Sequence, residues 1–217
     1  MKIQKTAHNI KRNFIWLLVG LTFIGLLGLA SISLAEDVWT KKADMPTARA
    51  LFAAAVVDGK IYAFGGLANW AALSTVEVYD AKTDTWEKKA NMPNAICDLS
   101  AAVVNGEIYV VGGQTPINVP TKIVAVYNPK TDTWMRKADL PIATMGMGIG
   151  VVNGKIYTVG GGTLIPEEHI ATVQEYAPLT DKWTRKTDMP TPRGCCYMAR
   201  WSTIIFMLLA VGGMKGP

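Results

Sequence analysis

Histidine, cysteine and unbalanced charge are all scarce in this 217-residue chain, and each shortage removes a class of function. With two histidines, three cysteines and no C-x-x-C spacing, there are too few donors for a zinc site. Cys97, Cys195 and Cys196 form an odd set without a pairing framework. A bridge from Cys97 to one of the adjacent pair stays open beside the simpler reading of small buried side chains. A G-x-x-x-x-G-K-(S/T) phosphate loop is missing too. The net charge is +5, but four of the 22 basic residues, Lys2, Lys5, Lys11 and Arg12, lie in the acid-free first 35 positions. The remainder holds 18 basic against 17 acidic residues, interspersed without a stripe, which excludes a nucleic-acid footprint. Neither a metal nor a cofactor is expected.

The first 35 residues have the order of parts of an export signal. A cationic stretch precedes an apolar run from Phe14 to Ala30, and Ser33-Leu34-Ala35 puts small residues where a signal peptidase reads. Cleavage after Ala35 is one expectation. The other is a retained anchor, because residues 14–34 make a hydrophobic helix about as long as the roughly 20 residues that cross a bilayer. In both cases residues 36–217 are expected outside the cytoplasm, in the periplasm or extracellular space, with the cationic flank left inside.

Internal repetition organises the rest. The phrase W-x-x-K-(A/T)-(D/N)-(M/L)-P begins at Trp39, Trp86, Trp134 and Trp183, at spacings of 47, 48 and 49 residues. Double glycines keep the same phase at Gly65-Gly66, Gly112-Gly113 and Gly160-Gly161, and tyrosines recur at Tyr62, Tyr109 and Tyr157 and at Tyr79, Tyr127 and Tyr176. A T-D-x-W turn follows at Thr83, Thr131 and Thr180. Each unit reads as four strands. In the first, the apolar run Ala50 to Val57 meets the tight turn Asp58-Gly59, then Lys60 to Phe64 returns to the glycine pair. Thr75 to Tyr79 alternates, and a short strand follows at Trp86, where Lys88 and Lys89 suit an outer edge. Four antiparallel strands per period make propeller blades.

The strand, double glycine, spaced tyrosine and following tryptophan resemble the kelch repeat, whose period is about 50 residues. The resemblance implies an all-β kelch-type propeller of four-stranded antiparallel blades over residues 36–217. Complete units are expected at about 50–91, 97–139 and 145–188, with a partial fourth over 191–217. In that reading the glycine pairs, the second tyrosine series and Trp39, Trp86, Trp134 and Trp183 are scaffold, because large aromatics at fixed phase fill the core. The fourth unit departs from the pattern: Pro190 to Gly212 spans 22 residues where the earlier units use 19. A truncated, non-functional propeller piece is therefore one reading of the chain.

Strand direction alone puts the loop after each second strand and each blade-to-blade connection on one face. The candidate recognition surface comprises 67–74, 114–121 and 162–171, with entries near Arg49, Asp98 and Arg193. Trp70 suits stacking on a sugar ring or anchoring a protein contact, and Gln114 and Asp98 stand beside it as ligand candidates. Arg49 and Arg193 suit carboxylates. Glu167, Glu168 and His169 are the acid–base-capable group on these loops.

Family resemblance implies a non-catalytic module for protein or carbohydrate ligands as the leading function. It also implies a periplasmic sugar-acid epimerase of the sialic-acid mutarotase kind as the alternative, with Glu167, Glu168, His169 and Arg49 as the residues on offer. The copper radical oxidases of the family need several histidines and a modified tyrosine, which this chain does not supply.

Overall fold

The computed structural model describes residues 39–117, 119–164 and 167–194, without the side chains of Leu164 and Glu167. The expected leader over 1–35, its helix at 14–34, Cys195, Cys196 and the fourth repeat beyond Gly194 lie outside the described residues.

Every described element is a strand. The first sheet has β1 (Ala53–Val57), β2 (Lys60–Phe64), β5 (Val76–Asp80) and β6 (Thr85–Lys89), with a small hairpin, β3 (Leu67–Ala68) and β4 (Ala71–Ala72), rising between β2 and β5. The second has β7 (Ser100–Val104), β8 (Glu107–Val111), β9 (Val124–Asn128) and β10 (Thr133–Arg136). The third has β11 (Gly148–Val152), β12 (Lys155–Val159), β15 (Val173–Ala177) and β16 (Lys182–Arg185). Its own hairpin is β13 (Gly162–Leu164) and β14 (Glu167–His169). All pairings are antiparallel and follow chain order outward, as in propeller blades.

Local chemistry sets these strands. At Asp58-Gly59, Asn105-Gly106 and Asn153-Gly154 both residues have positive φ, between 51° and 78°, which closes a two-residue hairpin with the twist of its strands. At Gly66, φ is +98° and an added Cβ would lie 2.7 Å from the Ala50 carbonyl oxygen, so only glycine lets these two backbones meet. The inner strands are built largely from Ala, Gly, Ser and Val, and β7 lies between β1 and β11.

The core lies between blades. Tyr62, Phe64, Val76 and Val78 of the first blade bury against Ile108, Val110, Ala125 and Tyr127 of the second. Tyr109, Val111, Val124 and Val126 then bury against Ile156 and Tyr176 of the third. Phe64 meets Trp134 edge-on at 5.8 Å between ring centroids, and Tyr109 meets Tyr176 at 5.9 Å. Each large apolar side chain buried this way contributes about 1.5–3 kcal/mol.

The repeat signature also builds a clasp between consecutive units. Asp84 Oδ1 accepts the Ala43 N–H at 2.8 Å and the Tyr79 hydroxyl at 2.6 Å, while Trp86 Nε1 donates to the Ala43 carbonyl at 3.0 Å. Asp132, Tyr127 and Trp134 grip Ala90 in the same way, and Asp181, Tyr176 and Trp183 grip Ala138. The hydrogen bond to Asp84, with burial second, pushes the Tyr79 phenol up to about 12.

One expectation needs correction. Ala50–Phe52 do not extend the inner strand: Ala50 bridges Leu67 and Leu51 has φ +53°, a left-handed kink that redirects the chain before β1. Trp86, Trp134 and Trp183 pack on Tyr79, Tyr127 and Tyr176, and Trp39 differs from them in its surroundings. It is 99% exposed, and seven residues before it stands Ile32, where those counterparts have the tyrosine they pack on.

Candidate functional site

The loops that follow β2, β8 and β12 emerge at the same ends of their blades as the connections entering β1, β7 and β11. On the first blade the face is raised by the β3–β4 hairpin. Asn69 and Trp70 form its turn with φ of +48° and +64°, and Trp70 is 79% exposed at the tip. The hairpins at Asp58-Gly59, Asn105-Gly106 and Asn153-Gly154 have glycine at that second position, because a Cβ disfavours it. Trp70 is a bulky residue where those three hairpins have glycine.

On the second blade, Thr115 N–H bonds to the Val119 carbonyl at 2.9 Å and Thr121 N–H to the Gly113 carbonyl at 2.8 Å, which closes the loop compactly. Its tip exposes Ile117 and, partly, Val119. Beside it an open groove of about 360 Å³ runs between Val119, Pro120, Lys122, Pro141, Ile142 and Thr163. The exposed apolar residues and the groove were not singled out by sequence reasoning. Their one signal was the Pro116 and Pro120 bracketing of two aliphatic residues in an otherwise polar loop.

Gln114 is at the base of this loop, 5% exposed, and exchanges two backbone hydrogen bonds with Cys97, at 2.8 and 3.1 Å. Asp98 follows directly, half-buried, with φ +54°. Leu51, Asp98 and Gly146 occupy the same place in the three units. They are linked through the backbone, Asp98 N–H to the Leu51 carbonyl at 2.7 Å and Gly146 N–H to the Asp98 carbonyl at 3.0 Å. Burial pushes the Asp98 carboxyl up to about 6 and raises the Cys97 thiol, a free cysteine.

Of the residues named for the enzyme reading, Arg49 is bound to the first blade, and Glu168 and His169 lie on the hairpin of the third. Arg49 is fully committed to the first blade: it meets Glu77 at 2.7 Å, with both side chains buried, and donates to the carbonyls of Gly65 and Thr75. Glu77 also accepts the Thr47 hydroxyl at 2.7 Å, so the guanidinium is held in a closed set of hydrogen bonds and not turned to the loop face. Glu168 and His169 stand exposed on β14, on the third blade. Arg193 is exposed at the exit from that blade, its carbonyl taking the Gly161 N–H. Among the described residues no group of three or more His, Cys, Asp or Glu is placed to hold a metal ion.

Comparison with known proteins agrees with this architecture. The FKB95, Kelch-repeats domain model matches residues 46–205. Solved structures with the same fold include the structure of YjhT, at a TM-score of 0.65 and 22% identity, with 72% of this chain and 57% of that one covered. The chain thus spans little more than half the length of that structure, and at this identity the likeness is one of fold. No curated protein matches the chain.

Proposed function

This chain belongs to the kelch-repeat family, and on that premise we propose that its loop face is a non-catalytic recognition surface for a protein partner, anchored by Trp70. The observation that carries this reading is a bulky aromatic held in the left-handed region at a hairpin tip and 79% exposed. Such strain persists where the surrounding structure enforces it, and it clusters at binding sites. Tryptophan also supplies large contact area with few rotatable bonds, which makes it a frequent interface anchor. Ile117 and Val119 extend the apolar area on the neighbouring loop.

The reading includes export of residues 36–217, supported by the order of charge, apolar run and small residues at the N-terminus. Its test is selection of displayed peptides on the full chain in detergent, beside a panel of glycans. A selected peptide should bind at least about tenfold more weakly to Trp70→Ala. It should bind equally to Lys130→Ala, in a turn at the opposite strand ends. Peptide binding indifferent to Trp70, or selection of glycans alone, overturns the reading.

A further inference from the structure

Each blade has two faces, and the repeat assigns them fixed positions. Val57, Tyr62, Val76 and Val78 of the first blade turn to the second, and Val104, Tyr109, Val124 and Val126 of the second turn to the third. By the same register, Val152, Tyr157, Val173 and Glu175 make the far face of the third blade. The receiving residues Val103 and Ile108 of the second blade correspond to Val56 and Ile61 on the near face of the first. Between blades these positions are closed: Ile108 and Ile156 are fully buried, and Val57 and Val104 are buried. On the two end faces they are open among the described residues. Ile61 is 40% exposed, Val56 60% and Val152 56%, and Tyr157 and Val173 are half-buried. The carboxylates at both ends already have partners, Glu77 in Arg49 and Thr47, Glu175 in Lys155, Tyr157 and Lys186. Covering the faces therefore strands no charge.

We propose that two copies of this chain close one ring, the third blade of each packing on the first blade of the other. The junction continues a contact that the chain already makes twice, the far face of one unit on the near face of the next. Val57 and Val103 share the core between the first two blades, and the corresponding pair across the junction is Val152 of one copy with Val56 of the other. Such a contact is head-to-tail, which yields a closed ring or an open fibre according to whether its rotation closes. Three four-stranded sheets are described per copy, so two copies reach six blades, within the four to eight that close a propeller. The solved structure of the same fold has 57% of its length matched by this chain, which leaves room in that fold for further blades. A second copy covers both end faces at once, with the residues that already make this contact. Residues 195–217, about half of one repeat, cover one at most. The junction lies between blades and is independent of the loop face as a recognition surface.

The test is the mass of the full chain in detergent, by light scattering with bound detergent subtracted, across a dilution series. Two chains per particle are expected. Val56→Lys and Val152→Asp, each alone, should raise the dissociation constant by about a hundredfold or more, because either one buries an unpaired charge at both junctions. Mixing the two variants should restore the dimer. One junction of the mixed pair is then native, and the other sets the new lysine against the new aspartate. That rescue also shows that both variants are folded. One chain per particle at every concentration, particles of more than two chains, association indifferent to both substitutions, or no rescue on mixing overturns the proposal. A monomer whose melting temperature falls with Val152→Asp overturns it too, and gives the third blade's face to residues 195–217. Trp70→Ala should abolish binding of the selected peptide and leave the mass unchanged, which keeps the two readings apart.

Discussion

The hydroxyl of Tyr127 and the carboxylate of Asp132 meet at 2.7 Å, and the same Asp132 oxygen takes the backbone N–H of Ala90 from the preceding repeat at 2.8 Å. Tyr127 is fully buried between two blades, so one short contact ties the inter-blade core to the joint between repeats. Tyr127→Phe keeps the ring and removes only the donor. A loss of about 1 kcal/mol is expected in urea denaturation, with the slope unchanged.

The Arg49–Glu77 pair is enclosed on all sides, which makes its halves unequal to its whole. Arg49→Met strands a buried carboxylate and is expected to destabilise by about 3–5 kcal/mol. The double variant Arg49→Met, Glu77→Met should recover most of that loss, because both desolvation costs vanish together. A double-mutant cycle in urea reads it directly; a double variant as unstable as the single one would contradict this account.

Glu175 accepts from Lys155 at 2.8 Å, from the Tyr157 hydroxyl and from Lys186 at 3.0 Å, which together hold its carboxyl down to about 2 against an ordinary 4.5. A carboxyl depressed in the folded state adds stability above its unfolded value, and that stability is lost as pH falls from about 4.5 towards 2. Glu175→Gln should therefore flatten the acid limb of the stability curve while changing little between pH 6 and 8 in slope. Melting temperatures across that acid range test it.

Trp70→Gly relieves a left-handed tryptophan but frees the unfolded chain, and the two effects oppose. Stability should stay level or rise by up to about 1 kcal/mol while peptide binding is lost. A gain in melting temperature with loss of binding would show that the strain serves recognition. A fall of several degrees would instead give Trp70 a packing role.

The blades were legible in the sequence because their causes are local or periodic. Asp58-Gly59 fixes a hairpin by its own φ preferences, and Val76 and Val78 mark a buried face by alternation. The face was legible too, since strand direction determines where loops emerge. What those loops do was not. Arg49 read as an exposed carboxylate binder because its partner Glu77 lies 28 residues away, on the second strand over. Leu51 read as strand because nothing in its side chain announces a positive φ; the kink comes from Ala50 bridging Leu67. The β3–β4 and β13–β14 hairpins are two or three residues per strand, too short for alternation to register.

What each Asp–Trp clasp holds is main chain: the N–H and C=O of Ala43, Ala90 and Ala138. Every amino acid but proline offers that same pair of groups, so the joint is blind to the side chain it grips. At the corresponding place in the fourth phrase stands Thr187. Copies descended from one ancestral unit could thus diverge at the gripped position without losing their attachment to the next. Order passes along such an array by neighbour contact, while the freedom to vary remains with the loops that meet a partner.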